Sequence, residues 1–233
     1  MIGIICAMEA EIEALRAHMR VEREETVSGI GFLSGSLEGE PVVLARCGVG
    51  KIFAALCAQT MVLRYGVTAL VNSGVAGTLT EELHIGDVIL SKECVQHDMD
   101  TTAVGDDYGL VSGINRVRFP AGEKLVEGLS EALRARGVRF RTGTIATGDQ
   151  FVASQARRDW IVSTFGAEAV EMEAGAIAQA AFVNGVPYVV IRVISDEADG
   201  RATVDYPVFM REAAKTSSEV VLAWLAHRSG KAV

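Results

Sequence analysis

The chain has 233 residues, of which 49% are hydrophobic and 22% are charged, and its formal net charge at pH 7 is −8. This composition is typical of a soluble globular protein, and the length suits one large domain spanning residues 1–233. The negative charge argues against nucleic acid as a partner, and no uninterrupted apolar stretch approaches the roughly 18 residues that a membrane span needs.

Short, continuous apolar runs alternate with helical patterns along the chain. Continuous rather than alternating apolarity indicates strands that are covered on both faces. Such predicted strands lie at residues 2–6, 42–45, 69–72, 88–90, 141–146 and 188–194. A glycine-punctuated hairpin is predicted at residues 27–40, and helices are predicted at residues 8–19, 51–66, 123–137, 154–166 and 206–227. This alternation of strands and helices predicts an α/β fold.

Two segments carry more specific expectations. The helix at residues 51–66 is apolar nearly all round, which predicts that the helix is buried and that Gly66 closes it. Residues 99–120 form the longest stretch without clear periodicity, and they are either a lid over a binding site or a solvated connection.

The cysteines and the start of the chain indicate a cytoplasmic location. Cys6, Cys47, Cys57 and Cys94 show no CxxC spacing and lie in apolar segments, which predicts buried, reduced thiols. The four histidines are scattered along the chain, so no metal site is expected. The opening MIGIICAM lacks the basic region of a signal peptide, and acidic residues follow it at once.

Small and acidic residues follow the predicted strands. Ligands of open α/β sheets bind beyond the carboxyl ends of the strands, so these residues are candidates for a site. Each acid also has a structural explanation, because Glu11 suits the dipole of a helix N-terminus and Asp196 suits the cap of a turn. A buried ionised carboxylate costs several kcal/mol unless it is paired, and Arg192 is a plausible partner for Glu171 and Glu173.

The order and spacing of these motifs resemble a known family. The chain carries, in order, AMEAEIEAL, CGVGK, NSGVAGTL, GDVILS, HDMD, ATGDQFV, VEMEAGAIA and VIRVISDEAD. From Ile2 to about Trp224 it resembles the bacterial 5′-methylthioadenosine/S-adenosylhomocysteine nucleosidases of the nucleoside phosphorylase/hydrolase superfamily. The resemblance implies a three-layer αβα sandwich with a central twisted mixed β-sheet. It also implies a homodimer without a metal or an organic cofactor.

The resemblance implies an activity and assigns residues to it. The activity is hydrolysis of the N-glycosidic bond of methylthioadenosine and S-adenosylhomocysteine, and of 5′-deoxyadenosine, in methionine salvage and S-adenosylmethionine recycling. Asp196 is implied as the general acid that protonates adenine N7, and Glu11 as the group that activates water. Inverting glycoside hydrolysis likewise divides these tasks between two carboxyl groups. The implied substrate-binding residues are Glu173, Met172, Val152, Phe151, Gly77, Glu171, Arg192, Ser195, Met8, Val49 and Tyr206.

Within that set, the resemblance implies distinct tasks. Glu173 accepts hydrogen bonds from the ribose hydroxyls, and Met172 packs beneath the sugar. Phe151 stacks near adenine, while the backbone of Val152 reads its Watson–Crick edge. Arg192 orients or neutralises Glu173.

Three other functions remain open. A purine nucleoside phosphorylase needs cationic clamps for phosphate, but no arginine precedes Arg16 and the glycine turn supplies only Lys51, which we expect at a helix start or in solvent. A 6-amino-6-deoxyfutalosine nucleosidase of menaquinone synthesis would use the same residues. A non-catalytic nucleoside-binding protein would have no need of Glu11.

The sequence departs from the common family pattern around the 5′ group of the nucleoside. Val75 lies where serine is frequent, and Val104 and Asp106 lie where aromatic residues are common. Tyr206 takes a position often held by phenylalanine. The preferred 5′ substituent therefore does not follow from the resemblance.

Overall fold

The apolar runs form the centre of a mixed β-sheet in the computed structural model, which describes residues 1–230. The strands are β1 Ile2–Cys6, β2 Arg20–Val27, β3 Ile30–Leu37, β4 Glu40–Arg46, β5 Ala69–Thr78, β6 Val88–Gln96, β7 Phe119–Pro120, β8 Phe140–Thr147, β9 Ala169–Glu171 and β10 Tyr188–Asp196. Strands β1, β5 and β10 are buried along their whole length, as continuous apolarity predicts.

The sheet has an open half and a closed half that meet at β5. In the open half, β1 pairs in parallel with both β4 and β5, and β3 and β2 continue the sheet as antiparallel strands. In the other half, β5 pairs with β10 and β9, and β6 and β8 complete the ring. The carboxyl ends of β1, β9 and β10 therefore converge on β5.

The helices cover both faces of the sheet. They are α1 Glu9–His18, α2 Lys51–Tyr65, α3 Glu123–Ala135, α4 Gln155–Phe165, α5 Ala174–Val183 and α6 Ala202–Arg228. Helices α2 and α5 pack on one face, and α1, α3 and α6 pack together on the other. This arrangement confirms the predicted three-layer αβα sandwich around a mixed sheet.

Helix α2 differs from the prediction of a buried helix. Gly66 closes it in the left-handed conformation, with φ 63°, as expected. However, Ile52 is 75% exposed and Leu63 is 74% exposed, so one apolar face of α2 lies on the surface of the chain. The prediction of burial is wrong for that face because the sheet covers only the opposite side of the helix.

The boundaries of other elements also differ from the predicted ones. The hairpin was expected at residues 27–40, but these residues contain strand β3 and the two turns that join it to β2 and β4. The three strands form an antiparallel meander with β3 at its centre. Helix α6 begins at Ala202, four residues earlier than predicted, and contains Pro207. Residues 99–120 contain the 3₁₀ turn Thr102–Val104 and strand β7.

The cysteines are as predicted, since Cys6, Cys47, Cys57 and Cys94 are all buried free thiols. Burial is the main cause that raises the pKa of the Cys47 thiol, and the nearby charges of Glu173 and Glu11 raise it further. Among residues 1–230, no helix combines the length and apolarity required to cross a bilayer.

Candidate active site

A small cavity of about 80 Å³ lies where β1, β5 and β9 meet the start of α1. The lining residues are Ala7, Met8, Glu11, Val49, Val75, Phe151, Val170, Glu171, Met172, Glu173 and Tyr206. The cavity therefore brings together most of the residues that the sequence predicts for the site.

Glu11 is held in a ring of backbone N–H groups. It lies in the first turn of α1, and its Oε2 accepts hydrogen bonds from the N–H groups of Ala7 at 2.8 Å and Met8 at 2.9 Å. Its Oε1 accepts a hydrogen bond from the N–H of Val75 on β5 at 3.2 Å. Burial raises the pKa of Glu11, while the positive charge of Arg192 and these hydrogen bonds oppose the rise.

Arg192 pairs with Glu171, the last residue of β9, and with Glu173 just after it. Its side chain is 1% exposed, and its Nη2 contacts Glu171 and lies 3.6 Å from Oε2 of Glu173. The same nitrogen donates to Oδ1 of Asn72 at 2.6 Å. The predicted ion pairs of Arg192 are confirmed, and they explain how two carboxylates remain in the interior.

Glu171 and Glu173 differ in their surroundings. Oε2 of Glu171 accepts the N–H groups of Glu173 at 2.9 Å and Ala174 at 2.8 Å, so this carboxylate satisfies the first N–H groups of α5. Glu173 accepts the N–H of Gly50 at Oε1, at 2.9 Å. Burial and the charge of Glu171 raise the pKa of Glu173 against the effect of Arg192. Glu173 is therefore the carboxyl group with capacity left for a ligand.

Asp196 ends β10 beside the cavity and does not line it. Its Oδ1 accepts the N–H of Ala198 at 2.9 Å, which is the turn cap that its sequence context suggests. Its Oδ2 accepts the hydroxyl of Ser195 at 2.9 Å. Burial raises the pKa of Asp196, the two hydrogen bonds lower it, and nearby aspartates raise it further. A carboxyl group that retains its proton at higher pH is suited to donating one.

Asp196 and Glu11 meet the same strand two residues apart. Asp196 pairs with Gly77 on β5, while Glu11 binds the N–H of Val75. Two strand residues span about 7 Å, so both acids contact the same short stretch of β5. A Cβ on Gly77 would lie 2.7 Å from Oδ1 of Asp196, so the strand admits Asp196 only beside glycine.

Tyr206 lines the cavity, and its hydroxyl donates to Sδ of Met8 at 3.2 Å. Burial raises the pKa of the Tyr206 hydroxyl, and the charges of Glu11, Asp196 and Glu173 raise it further. The ring packs edge-on against Phe151, with 5.4 Å between the ring centroids. The predicted site residues that do not line the cavity are Gly77, Val152, Arg192, Ser195 and Asp196.

Comparisons with known proteins agree with this geometry. A family profile described as the phosphorylase superfamily matches residues 1–226. The 5′-methylthioadenosine/S-adenosylhomocysteine nucleosidase of Anoxybacillus flavithermus is 40% identical over 94% of this chain and 95% of that protein. This chain belongs to that nucleosidase family, within the phosphorylase superfamily.

Solved structures of the nucleosidase family have the same fold. The Neisseria meningitidis enzyme in complex with methylthio-immucillin-A has a TM-score of 0.93 and 35% identity, covering 97% of this chain and 98% of that one. A structure described as futalosine hydrolase of Helicobacter pylori also has a TM-score of 0.93, with 32% identity and 97% of each chain covered.

The predicted site residues leave out some that lie around the cavity, although the quoted motifs contain them. Ala7, Val75 and Val170 line the cavity, and Asn72 supports Arg192 from within β5. Asn72 was detectable, because a polar residue at the end of a buried apolar strand needs a partner. Val75 was noted as a departure from the family pattern, whereas Ala7 and Val170 carried no signal, since their side chains are apolar like those of their neighbours.

Proposed function

We propose that the chain hydrolyses the N-glycosidic bond of 5′-methylthioadenosine and S-adenosylhomocysteine, and of 5′-deoxyadenosine, releasing adenine and the 5-substituted ribose. The observation that carries this proposal is the pair of buried acids, Glu11 and Asp196, which contact β5 two residues apart, at Val75 and Gly77. Residues 1–233 act as one domain, and the reaction belongs to methionine salvage and S-adenosylmethionine recycling in the cytoplasm.

The proposed mechanism assigns one task to each acid. Asp196 donates a proton to adenine N7, which turns the purine into a neutral leaving group. Glu11 takes a proton from water as that water attacks the anomeric carbon on the opposite side. Glu173 accepts hydrogen bonds from the ribose hydroxyls, and Met172 packs beneath the sugar. Phe151 lies against the purine.

The backbone N–H groups around the cavity support hydrolysis rather than phosphorolysis. Convergent N–H groups at helix and strand ends bind anions. Here the N–H groups of Ala7, Met8 and Val75 already bind Glu11, and the N–H of Gly50 binds Glu173. Phosphate would have to displace a carboxylate of the protein, and among residues 1–230 the cavity lining contains no lysine or arginine to bind it.

A substrate panel tests the proposed function. The panel comprises methylthioadenosine, S-adenosylhomocysteine, 5′-deoxyadenosine, 6-amino-6-deoxyfutalosine, and inosine with phosphate, and adenine or hypoxanthine release is followed by absorbance. We expect the first two to have the highest kcat/KM. A higher kcat/KM for aminofutalosine would favour the second candidate, which the similarity to the Helicobacter pylori futalosine hydrolase supports. Binding without product would contradict both.

The pH dependence of kcat/KM is expected to be bell-shaped. Glu11 must be ionised to accept a proton, and burial raises its pKa from the usual 4.5, so activity on the acid side should fall at a pH above that value. Asp196 must be protonated, and burial raises its pKa, so activity should fall as the pH rises through that pKa. Initial rates with methylthioadenosine between about pH 4 and about pH 10 measure both limbs. A flat profile would contradict the assignment of either acid.

We also propose that the chain forms a homodimer through the exposed face of α2. Ile52, Leu56 and Leu63 lie on one side of this helix and are 75%, 45% and 74% exposed. Val183 of α5, 58% exposed, lines the same surface groove as Ile52 and Leu56 and adds to the apolar surface. Sedimentation equilibrium should show a dimer, and Leu63→Glu should shift it to monomer. A wild-type monomer at micromolar concentration would contradict this interface.

A further inference from the structure

Three charged residues from separate elements form a closed ring of hydrogen bonds beside the cavity. Nζ of Lys51 lies 2.6 Å from Oδ1 of Asp98. Oδ2 of Asp98 accepts the N–H of Asp149 at 2.9 Å, and Oδ1 of Asp149 accepts the N–H of Lys51 at 2.8 Å. The ring joins the start of α2, the segment after β6 and the segment after β8.

The ion pair in this ring is largely shielded from solvent. The side chains of Lys51 and Asp98 are 18% and 19% exposed, which places Lys51 at the predicted helix start and not in solvent. Burial alone would raise the pKa of Asp98, but hydrogen bonds from Lys51 and from the Asp149 N–H hold it below the usual value. A lysine at a helix N-terminus opposes the helix dipole, so Lys51 does not stabilise α2 in that way.

The ring connects two walls of the cavity. Gly50 precedes Lys51 and donates its N–H to Glu173 at 2.9 Å. Phe151 follows Asp149 by two residues and lines the same cavity as Glu173. The two segments approach closely, because a Cβ on Gly50 would lie 3.1 Å from Oδ1 of Asp149. A shift of one segment therefore changes the distance between Glu173 and Phe151.

We propose that Lys51, Asp98 and Asp149 are positioning residues that set the distance between the diol-binding carboxylate Glu173 and the purine wall at Phe151. The proposal rests on the proposed function, because it takes Glu173 to bind ribose and Phe151 to bind adenine. The ring touches neither reacting atom. Its effect is to hold both ends of the nucleoside so that the bond between them lies between Glu11 and Asp196.

The test removes the lysine charge and then restores it. In Lys51→Met, we expect KM for methylthioadenosine and the Kd of adenine to rise by roughly tenfold or more, since small misplacements of a bound substrate have large effects. Lys51→Arg should restore both constants to within about threefold, because it keeps the charge and the reach to Asp98. Lys215→Met is the control, because Lys215 forms an exposed pair with Glu219 on α6 and should leave both constants unchanged.

A double-variant cycle completes the test. Asp98→Asn keeps an acceptor for the Asp149 N–H and loses the charge, so Lys51→Met combined with Asp98→Asn should be no worse than the poorer single variant. Additive losses in the double variant, or unchanged KM and Kd with only a lower Tm, would overturn the proposal. Each variant is compared with wild type, and calorimetry measures the Kd of adenine without any turnover. An inactive wild type would therefore contradict the proposed function alone, and the effect of the ring on adenine binding would still be measured.

Discussion

Replacing Asp196 with Asn is expected to lower kcat for methylthioadenosine by about 10²- to 10⁴-fold, the usual contribution of a general acid. The amide oxygen can still accept the N–H of Ala198, so the turn after β10 should persist. The amide cannot donate a proton of suitable acidity to adenine N7. KM should change little, because Glu173 and Phe151 remain in the cavity wall.

The leaving group provides the sharper form of this test. A nitrophenyl riboside releases nitrophenolate, a leaving group that needs no protonation. Asp196→Asn should therefore cleave this substrate nearly as fast as wild type does. Asp159→Asn is the control, since Asp159 is exposed on α4 and its Oδ1 accepts Nε2–H of Gln155 at 2.7 Å. An equal loss with both leaving groups would assign Asp196 a structural role.

Replacing Arg192 with Met is expected to lower the free energy of unfolding by about 3–5 kcal/mol, because it leaves the carboxylates of Glu171 and Glu173 buried without their cation. Urea unfolding followed by circular dichroism measures this loss. Arg20→Met is the control, because the Arg20–Glu22 pair is exposed and should contribute less than about 1 kcal/mol.

The sign of the pH effect gives an independent check on Arg192. Burial and the charge of Glu171 raise the pKa of Glu173 to about 8, and protonation of Glu173 removes its repulsion with Glu171. The deficit of Arg192→Met should therefore shrink as the pH falls through that value. Arg192→Met combined with Glu171→Gln should recover part of the loss for the same reason. A deficit that does not depend on pH would indicate lost packing of the arginine stem and not unpaired charge.

The sequence predicted the elements whose own residues specify them. Strand β1 has the predicted limits, and α4 begins after Ser154, whose side chain accepts the N–H of Arg157 as an N-cap. Strand β2 was not predicted, because RVEREETV is exposed at a sheet edge and has no apolar face to detect. Strand β9 has only three residues, too few to show a periodicity.

The contacts of the candidate site also divide into those that the sequence predicts and those that it does not. The carboxylates and the partnership of Arg192 with Glu171 follow from the cost of burying charge. Two other contacts join residues that are far apart in the sequence. The hydrogen bond from the Val75 N–H to Glu11 spans 64 positions and the Lys51–Asp98 pair spans 47, and a single sequence contains no signal for either. The cap that Asp196 forms on the N–H of Ala198, by contrast, was expected from its sequence context.

The three backbone N–H groups that bind Glu11 also determine which nucleophile the site can use. An oxyanion of any origin would satisfy Ala7, Met8 and Val75 if the glutamate were shortened. Whether the nucleophile is water or phosphate thus depends on whether the protein places its own carboxylate against these three N–H groups. Converting this chain into a phosphate-dependent enzyme would begin with replacing Glu11 by a shorter residue and then adding an arginine at the edge of the cavity.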